Sequence, residues 1–359
     1  MSAAYLFAHQ HGGAPAGKEG LLDFSVNVSP IPLPMPSDPL HSFNLGSYPS
    51  MDGKGVREFY AGRFGFDEKH VMPLNGAIEG IYLLPRALGL KRVLIPKPSF
   101  HDYSRACRLA GAEVVGLFLD PETGFAFPDI ETVADALDGC DALCVGNPNN
   151  PTGTMIPKAQ LLALACRFPE KIFIVDEAFI QFTEGFPDNS LMFDSMAFRN
   201  IVVIHSLTKF YALPGLRLGA VVAHSGMIRR LYGHKEPWTV NAIAESVARH
   251  LLECRRYEEH LFEMVSSGRR LIAEALSGHD AMKLYGGTAN FFLASIEPES
   301  EPESFFPQLE ARGIFVRDCR NFDGLDRNWF RFSIRGREDN LRLVESLRAV
   351  LPCLAGGVK

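Results

Sequence analysis

Four groups of residues carry side chains suited to chemistry, and each borders a short apolar run. Asn147-Pro148-Asn149-Asn150-Pro151-Thr152-Gly153 follows the run 142–145. Pro148 and Pro151 stiffen this loop, and Gly153 permits a tight turn. Asn149 and Asn150 then offer amides at the C-terminal edge of a strand, where open α/β sheets usually bind ligands. Read alone, the segment is equally an ordinary turn. Asp176-Glu177-Ala178-Phe179 closes the apolar run 171–175. A carboxylate at the end of a buried strand is costly without a partner. A protonated heterocyclic nitrogen would be such a partner for Asp176; a helix N-terminus or an arginine would serve as well. Glu177, next along the chain, is expected to point the other way.

Ser206-Leu207-Thr208-Lys209 and the following residues to Gly219 again come after a strand. A partly desolvated amine at Lys209 acts as a nucleophile or holds a Schiff base, and Ser206 and Arg217 would bind an anion beside it. The plainer alternative is a surface-loop lysine. The Ser-x-x-Lys spacing also occurs in serine β-lactamases, but their Ser-Asp-Asn and Lys-Thr-Gly companions are missing. Leu74-Asn75-Gly76-Ala77-Ile78-Glu79-Gly80 opens a helix whose first-turn amides would cradle a phosphate. It is otherwise a plain helix start. Neither a Walker-type loop nor a dinucleotide fingerprint accompanies it.

The elements that must position these groups follow from the apolar pattern. Strands are expected at 92–96, 113–119, 142–145, 171–175, 201–204 and 218–223, and helices at 77–88, 101–110, 129–138 and 157–167. Several runs are continuously apolar, as in strands covered on both faces of an α/β sheet. Pro157 is placed at the first position of its helix. Residues 241–276 read as one or two helices, with Gly268 as the candidate break. Strands are then expected at 290–296, 313–317 and 329–334, with 298–304 as a solvated acidic turn. In the last strand Phe330, Phe332 and Ile334 share the core face, and Trp329, Arg331, Ser333 and Arg335 the other. Pro30, Pro32, Pro34, Pro36 and Pro39 make the N-terminal region an extended arm, either a linker or a strap over a site or a partner subunit. The organisation expected is an arm over 1–40, a large domain over 41–236 and a small C-terminal domain over 237–359.

Composition bounds the function. The chain has 359 residues, 47% hydrophobic and 22% charged, which suits a compact fold. A net charge of −6 disfavours a broad nucleic-acid surface and leaves a focused anion pocket possible. Seven scattered cysteines form no framework, and Cys140 and Cys144 have no matching pair at zinc-site spacing. No metal site is expected, and His9 and His11 do not make one. With no signal peptide and no uninterrupted run of eighteen apolar residues, a reduced, cytoplasmic protein is expected.

Together the four groups supply a phosphate cradle, an acid for a ring nitrogen, an amide for a ring oxygen and a lysine. That set meets the needs of pyridoxal phosphate. The chain resembles the fold-type I enzymes of the class I/II aminotransferase superfamily. Within it the chain is most similar to the L-threonine-O-3-phosphate decarboxylase family of cobalamin biosynthesis. Matching segments include His11-Gly12-Gly13, Asp23 to Asn27, Tyr48-Pro49, Asp176 to Phe182, Ser206 to Gly219, Pro237 to Asn241 and Arg317-Asp318-Cys319. The histidinol-phosphate aminotransferase family resembles the chain over the same length.

The resemblance implies a large α/β/α domain with a mainly parallel sheet plus a smaller C-terminal α/β domain, pyridoxal 5'-phosphate as cofactor, and a homodimer. It implies that Lys209 anchors the cofactor and Asp176 keeps its ring nitrogen protonated. Asn150 would bond the phenolic oxygen, and Phe100 would stack on the ring. Ala77 and Ile78 would bind the phosphate with Ser206, Arg217 and, from the neighbouring subunit, Tyr48. His11, Asn27 and Arg317 would meet the substrate, and Arg335 would grip its carboxylate. The substrate's phosphate would need a second anion site, with His11 and Arg317 as its basic candidates; Arg331, of the same parity as Arg335, is a weaker candidate there, equally suited to a surface salt bridge. The implied reaction is decarboxylation of O-phospho-L-threonine to (R)-1-aminopropan-2-yl phosphate and CO2. The alternative is a histidinol-phosphate or related aminotransferase. Phe179, where the aminotransferases usually carry Tyr, matches the decarboxylases. Ala14 and Ser29 depart from the decarboxylase pattern, which often has Asn at both places.

Overall fold

The computed structural model describes residues 12–14, 20–35, 46–297 and 302–355. A seven-stranded sheet is built from β2 (Val71–Asn75), β3 (Arg92–Lys97), β4 (Glu113–Phe118), β5 (Ala142–Gly146), β6 (Ile172–Asp176), β7 (Ile201–Ser206) and β8 (Leu218–Val222). Its order is β2-β8-β7-β6-β5-β3-β4, and only β8 runs against its neighbours. Every residue of β5, β7 and β8 is buried, because helices cover both faces. Alternate residues divide between two cores. Leu143, Phe173, Val175 and Val203 face one, while Cys144, Ile174, Val202 and Ile204 face the other. The continuous apolar runs therefore meant what a doubly covered sheet requires. β2 escaped the pattern reading because Pro73 interrupts it at a place that, next to β8, still carries ladder pairing.

The second sheet is four-stranded and belongs to the smaller domain. It takes β9 (Met282–Gly286), β10 (Phe291–Ile296), β12 (Arg317–Asp318) and β13 (Trp329–Ser333) in the order β12-β13-β10-β9. Phe330, Phe332 and Ile334 are fully buried, as their shared parity requires. The expected strand at 313–317 is split. β11 (Ile314–Phe315) pairs instead with β1 (Leu22–Asp23) of the N-terminal arm. The acidic segment is less of a turn than expected, since Pro302–Ala311 is helical; residues 298–301 lie outside the described set. Pro157 sits at the N-cap of the Lys158–Arg167 helix, one place earlier than expected.

The 241–276 region is two helices, Ala242–His250 and Arg255–Leu276. The break falls at 251–254, not at Gly268, through which the longer helix runs unbroken. Gly268 has another reason to be glycine. A Cβ there would stand 2.7 Å from Ile334 Cγ2 and 2.8 Å from Asn340 Nδ2. Asn340 in turn holds both the N–H and the C=O of Arg335. Thus the long helix presses on the segment just after β13, where Ile334 and the candidate Arg335 lie. Gly268→Ala should lower the melting temperature. The helix-propensity gain of about 1 kcal/mol is outweighed by overpacking of about 1–3 kcal/mol. Thermal unfolding of the two proteins side by side checks the sign.

Candidate active site

A cavity of about 560 Å³ opens at the C-terminal ends of β5, β6 and β7, between the two domains. Asp176 is the last residue of β6 and is buried. Its Oδ2 accepts from the Tyr103 hydroxyl at 2.8 Å, and its Oδ1 from the Ala178 N–H at 2.9 Å. Burial nevertheless raises its pKa to about 6, against the pull of those two bonds and of Lys209. Strand alternation sends Glu177 to the other side, where it accepts from Ser190 Oγ and the Leu191 N–H. Burial pushes Glu177 up to about 7, and it does not line the cavity.

Lys209 faces Asp176 from the loop after β7 and lines the same cavity. Burial, then Arg331 and Arg217, bring its pKa down to about 8. The arm packs directly on this loop, with Ser29 N–H donating to the Lys209 carbonyl at 2.8 Å. Ser25, Val26 and Asn27 form part of the cavity wall. The arm is therefore a strap over the site. Ser29 itself points away, towards the Tyr257 hydroxyl at 3.0 Å.

The anion cradle is local backbone chemistry. The helix Ala77–Leu88 begins without a side-chain cap, and Ala77 and Ile78 line the cavity. Uncapped first-turn N–H groups are an anion site. Gly76 has φ 74°, and a Cβ there would lie 2.5 Å from Arg217 Nη2. A Cβ on Gly219 would lie 3.0 Å from the Ala77 nitrogen. Glycine at both places lets the helix start, Arg217 and Ser206 converge. Ser206 Oγ is 2.8 Å from Thr208 Oγ1. Phe100 and Asn150 line the cavity as expected, while Asn149 is used in the loop, bonded to Pro98 O and Thr152 Oγ1.

One expected role moves. Arg335 does not reach the cavity: its Nε is 2.9 Å from Asp339, it donates to the Asp23 carbonyl, and it lies over the Phe24 ring. It ties the arm to the small domain. Arg331, four residues earlier on the same face, lines the cavity and is buried. It donates to Asn150 Oδ1 and to the Ser25 carbonyl. Burial depresses its pKa to about 10. Arg317 is also buried against the cavity, over the Phe322 ring. Asn27 is buried there with both amide atoms unpartnered. Tyr48 is 83% exposed, lies against Trp238 and does not line the cavity of its own chain. His11 lies outside the described residues. Sequence reasoning missed Tyr103, Thr208, Phe322 and the group Tyr82, Asp102 and Arg105. Only Tyr103 had a readable signal, as a tyrosine three residues after the Phe100 that opens its helix.

The class I and II aminotransferase family model matches residues 42–347. This chain belongs to that family. It is 30% identical to the threonine-phosphate decarboxylase of Salmonella typhimurium, over 98% of this chain and 99% of that one. It is 28% identical to the histidinol-phosphate aminotransferase of Caldanaerobacter subterraneus, over 91% and 92%. Among solved structures, the histidinol-phosphate aminotransferase of Clostridium acetobutylicum matches with a TM-score of 0.84 at 29% identity, over 93% of this chain and all of that one. The fold is therefore the fold-type I arrangement of large and small domains. The family's cofactor is pyridoxal 5'-phosphate, and the cavity fits it. The glycine-bounded cradle takes a phosphate, the desolvated Asp176 lacks only a cationic partner, and Lys209 is an amine of lowered basicity.

The lowered pKa of Lys209 has a measurable consequence. Only the neutral amine attacks the cofactor aldehyde, so uptake by cofactor-free protein should accelerate as pH rises and level off above about 8. An ordinary lysine would still be gaining at about 10. Stopped-flow absorbance against pH reads the midpoint. Borohydride reduction followed by peptide mapping should place the adduct on Lys209.

Proposed function

We propose that this chain uses pyridoxal phosphate to act at the α-carbon of a small phosphorylated amino acid or amine. The observation that carries the reading is the pair of buried arginines, Arg317 and Arg331, on the cavity wall shared by Lys209 and Asp176. The cofactor phosphate has its own partners in the helix start, Ser206 and Arg217. Two further guanidiniums then match a substrate with two anionic groups. The cofactor, when bound, supplies an electron sink for a carbanion at the substrate α-carbon. Asp176 keeps a proton on the ring nitrogen through a charge-assisted bond. Lys209 would anchor the cofactor and would handle the proton at the substrate α-carbon. Arg331 holds the carboxylate, and Arg317 the phosphate, with His11 as a further candidate. Asn27, from the strap, supplies the amide that its buried, unpartnered atoms call for.

Taken further, O-phospho-L-threonine carries just such a pair of anions. Its decarboxylation to (R)-1-aminopropan-2-yl phosphate and CO2 is the finer reading we put to test. Phe179 supports it: the side chain packs on Phe291 and leaves no hydroxyl for the phenolic oxygen. Transamination of histidinol phosphate or a related amine is the second reading. It has the wider support among the comparisons, in the family itself and in the superposition at a TM-score of 0.84. Both would use the same Lys209 and Asp176, so the bond broken at the α-carbon separates them. The deciding assay supplies O-phospho-L-threonine without a keto acid and measures CO2 and product amine over many turnovers. Catalytic release is expected. No release, with amino transfer from histidinol phosphate to 2-oxoglutarate, gives the second reading. In either assay Arg331→Ala should raise KM at least tenfold, a loss of more than about 1.4 kcal/mol of a charge-assisted bond. Arg335→Ala should mainly lower the melting temperature.

We further propose a homodimer in which Tyr48 reaches the partner's cofactor phosphate. Its exposure and its absence from its own chain's cavity support this. Tyr48→Phe should weaken cofactor retention by about 1–3 kcal/mol. Mixing Tyr48→Phe with Lys209→Ala subunits should restore activity through hybrid dimers. Activities that simply average would place Tyr48 in its own subunit's site.

A further inference from the structure

Lys97, the last residue of β3, has a buried side chain that the site described above does not use. Its Nζ donates to Ser104 Oγ at 2.7 Å and lies 3.0 Å from Asp323 Oδ2. Asp323 belongs to the other domain, in the loop between β12 and β13, and its side chain is 58% exposed. An ion pair with both partners in water contributes little, but burial of one partner makes separation expensive. Here the buried partner is the ammonium, so the loop is the part that must come to it.

That loop forms part of the cavity. Arg317 and Phe322, at its start and its middle, line the cavity. The Arg317 guanidinium donates to Asn321 Oδ1 at 2.7 Å and lies 5.4 Å from the Phe322 ring centre. Phe322 N–H bonds to Cys319 O, and Leu325 N–H to Phe322 O, so the segment is a folded turn. Beside the ion pair, apolar contacts hold it to the large domain. Gly324 lies against the Phe118 ring and Pro98, and Phe322 and Leu325 join Leu119 and Phe125 in one cluster. Apolar contact keeps the loop down but is not directional. The bonds of Lys97 to Asp323 and Ser104 are directional, and they fix where the turn sits.

We propose that the Lys97–Asp323 ion pair is a latch that seats the 319–325 turn on the large domain and so positions Arg317 and Phe322 against the substrate's phosphate. Both are positioning residues, acting through Arg317 and Phe322. The phosphate assignment rests on the proposed function; the seating of the turn does not, and the experiment reads the two separately. The holoenzyme is compared with its Asp323→Asn, Asp323→Glu and Lys97→Met variants. Titration of the cofactor absorbance with O-phospho-L-threonine should show binding weakened roughly three- to tenfold in Asp323→Asn and Lys97→Met, on the scale of one half-buried ion pair. Asp323→Glu should recover most of that loss. Binding of L-threonine and the absorbance of the cofactor on Lys209 should stay as in wild type.

The turn itself is read by Trp329, which packs on Phe125 and Tyr285 where the loop rejoins β13. In a Trp238→Phe background, acrylamide should quench Trp329 more strongly when Asp323 is Asn. Unchanged quenching in both latch variants overturns the latch. Equal weakening of O-phospho-L-threonine and L-threonine overturns its role at the phosphate and leaves an ordinary structural contact. A wild-type enzyme that does not distinguish the two ligands overturns the phosphate reading, and the latch then stands or falls on quenching alone. Asp323 is exposed, so its variants fold even if Lys97→Met does not.

Discussion

A carboxylate is held out of water at the end of β6, and much of the molecule is arranged around it. Asp176 receives a hydroxyl, a backbone N–H and the field of Lys209, and still titrates near 6 because burial outweighs them. A fully compensated carboxylate would sit below its ordinary value, as those bonded by several N–H groups do. The raised value follows from burial, and it leaves the carboxylate suited to a cationic partner. Under the function proposed above, the protonated ring nitrogen of pyridoxal phosphate would be such a partner. Such a carboxylate needs a dry setting. Hence β6 lies near the middle of a doubly covered sheet, flanked by β5, which leads to Asn150, and β7, which leads to Lys209.

The same dryness governs the opposite wall. Lys209 is lowered to about 8 by burial first and by Arg331 and Arg217 next. Two guanidiniums beside one amine disfavour its protonated form, and the arrangement suits anions among them. In the proposed function one would be the cofactor phosphate at Arg217. The other would belong to the substrate at Arg331, whose own pKa is depressed first by burial and then by Arg317. The strap contributes carbonyls and an unpartnered amide but no charge that could neutralise Arg331. The site therefore selects for anionic substrates by what it withholds as much as by what it offers.

Much of this was legible in the sequence, for physical reasons. Apolar runs located six of the seven strands of the large sheet; five are covered on both faces, which leaves no polar period to hide in, and the sixth, β4, is a partly exposed edge strand whose run is apolar nonetheless. The chemistry-bearing loops were legible because each follows such a strand, and the C-terminal edge of an α/β sheet is where ligands bind. Glu177 was separable from Asp176 by strand alternation alone. What could not be read depends on contacts between distant segments. Tyr103 reaches Asp176 across 73 residues of sequence. Gly268 looked like a helix break, yet its role is to admit Ile334 and Asn340, far along the chain.

Arg331 of β13 and Arg335 just beyond it mark the limit most sharply. Arg331 and Arg335 share parity, so period-2 reasoning places both on one face and cannot choose between them. A strand rises about 3.3 Å per residue, so four residues separate them by roughly 13 Å, more than a guanidinium can recover by changing rotamer. Which one enters the cavity is decided by where the strand ends. β13 stops at Ser333, whose N–H bonds to Phe24 O, and the chain then turns into the Arg337–Ala355 helix. Beyond that point Arg335 meets Asp339 one helical turn on, an i,i+4 pair set by the helix it leads into. Arg331, still within the strand and opposite Leu293 of β10, has no acidic partner among the described salt bridges and faces the cavity. The charge left unneutralised, and not the one best placed by pattern, is the one available to a substrate.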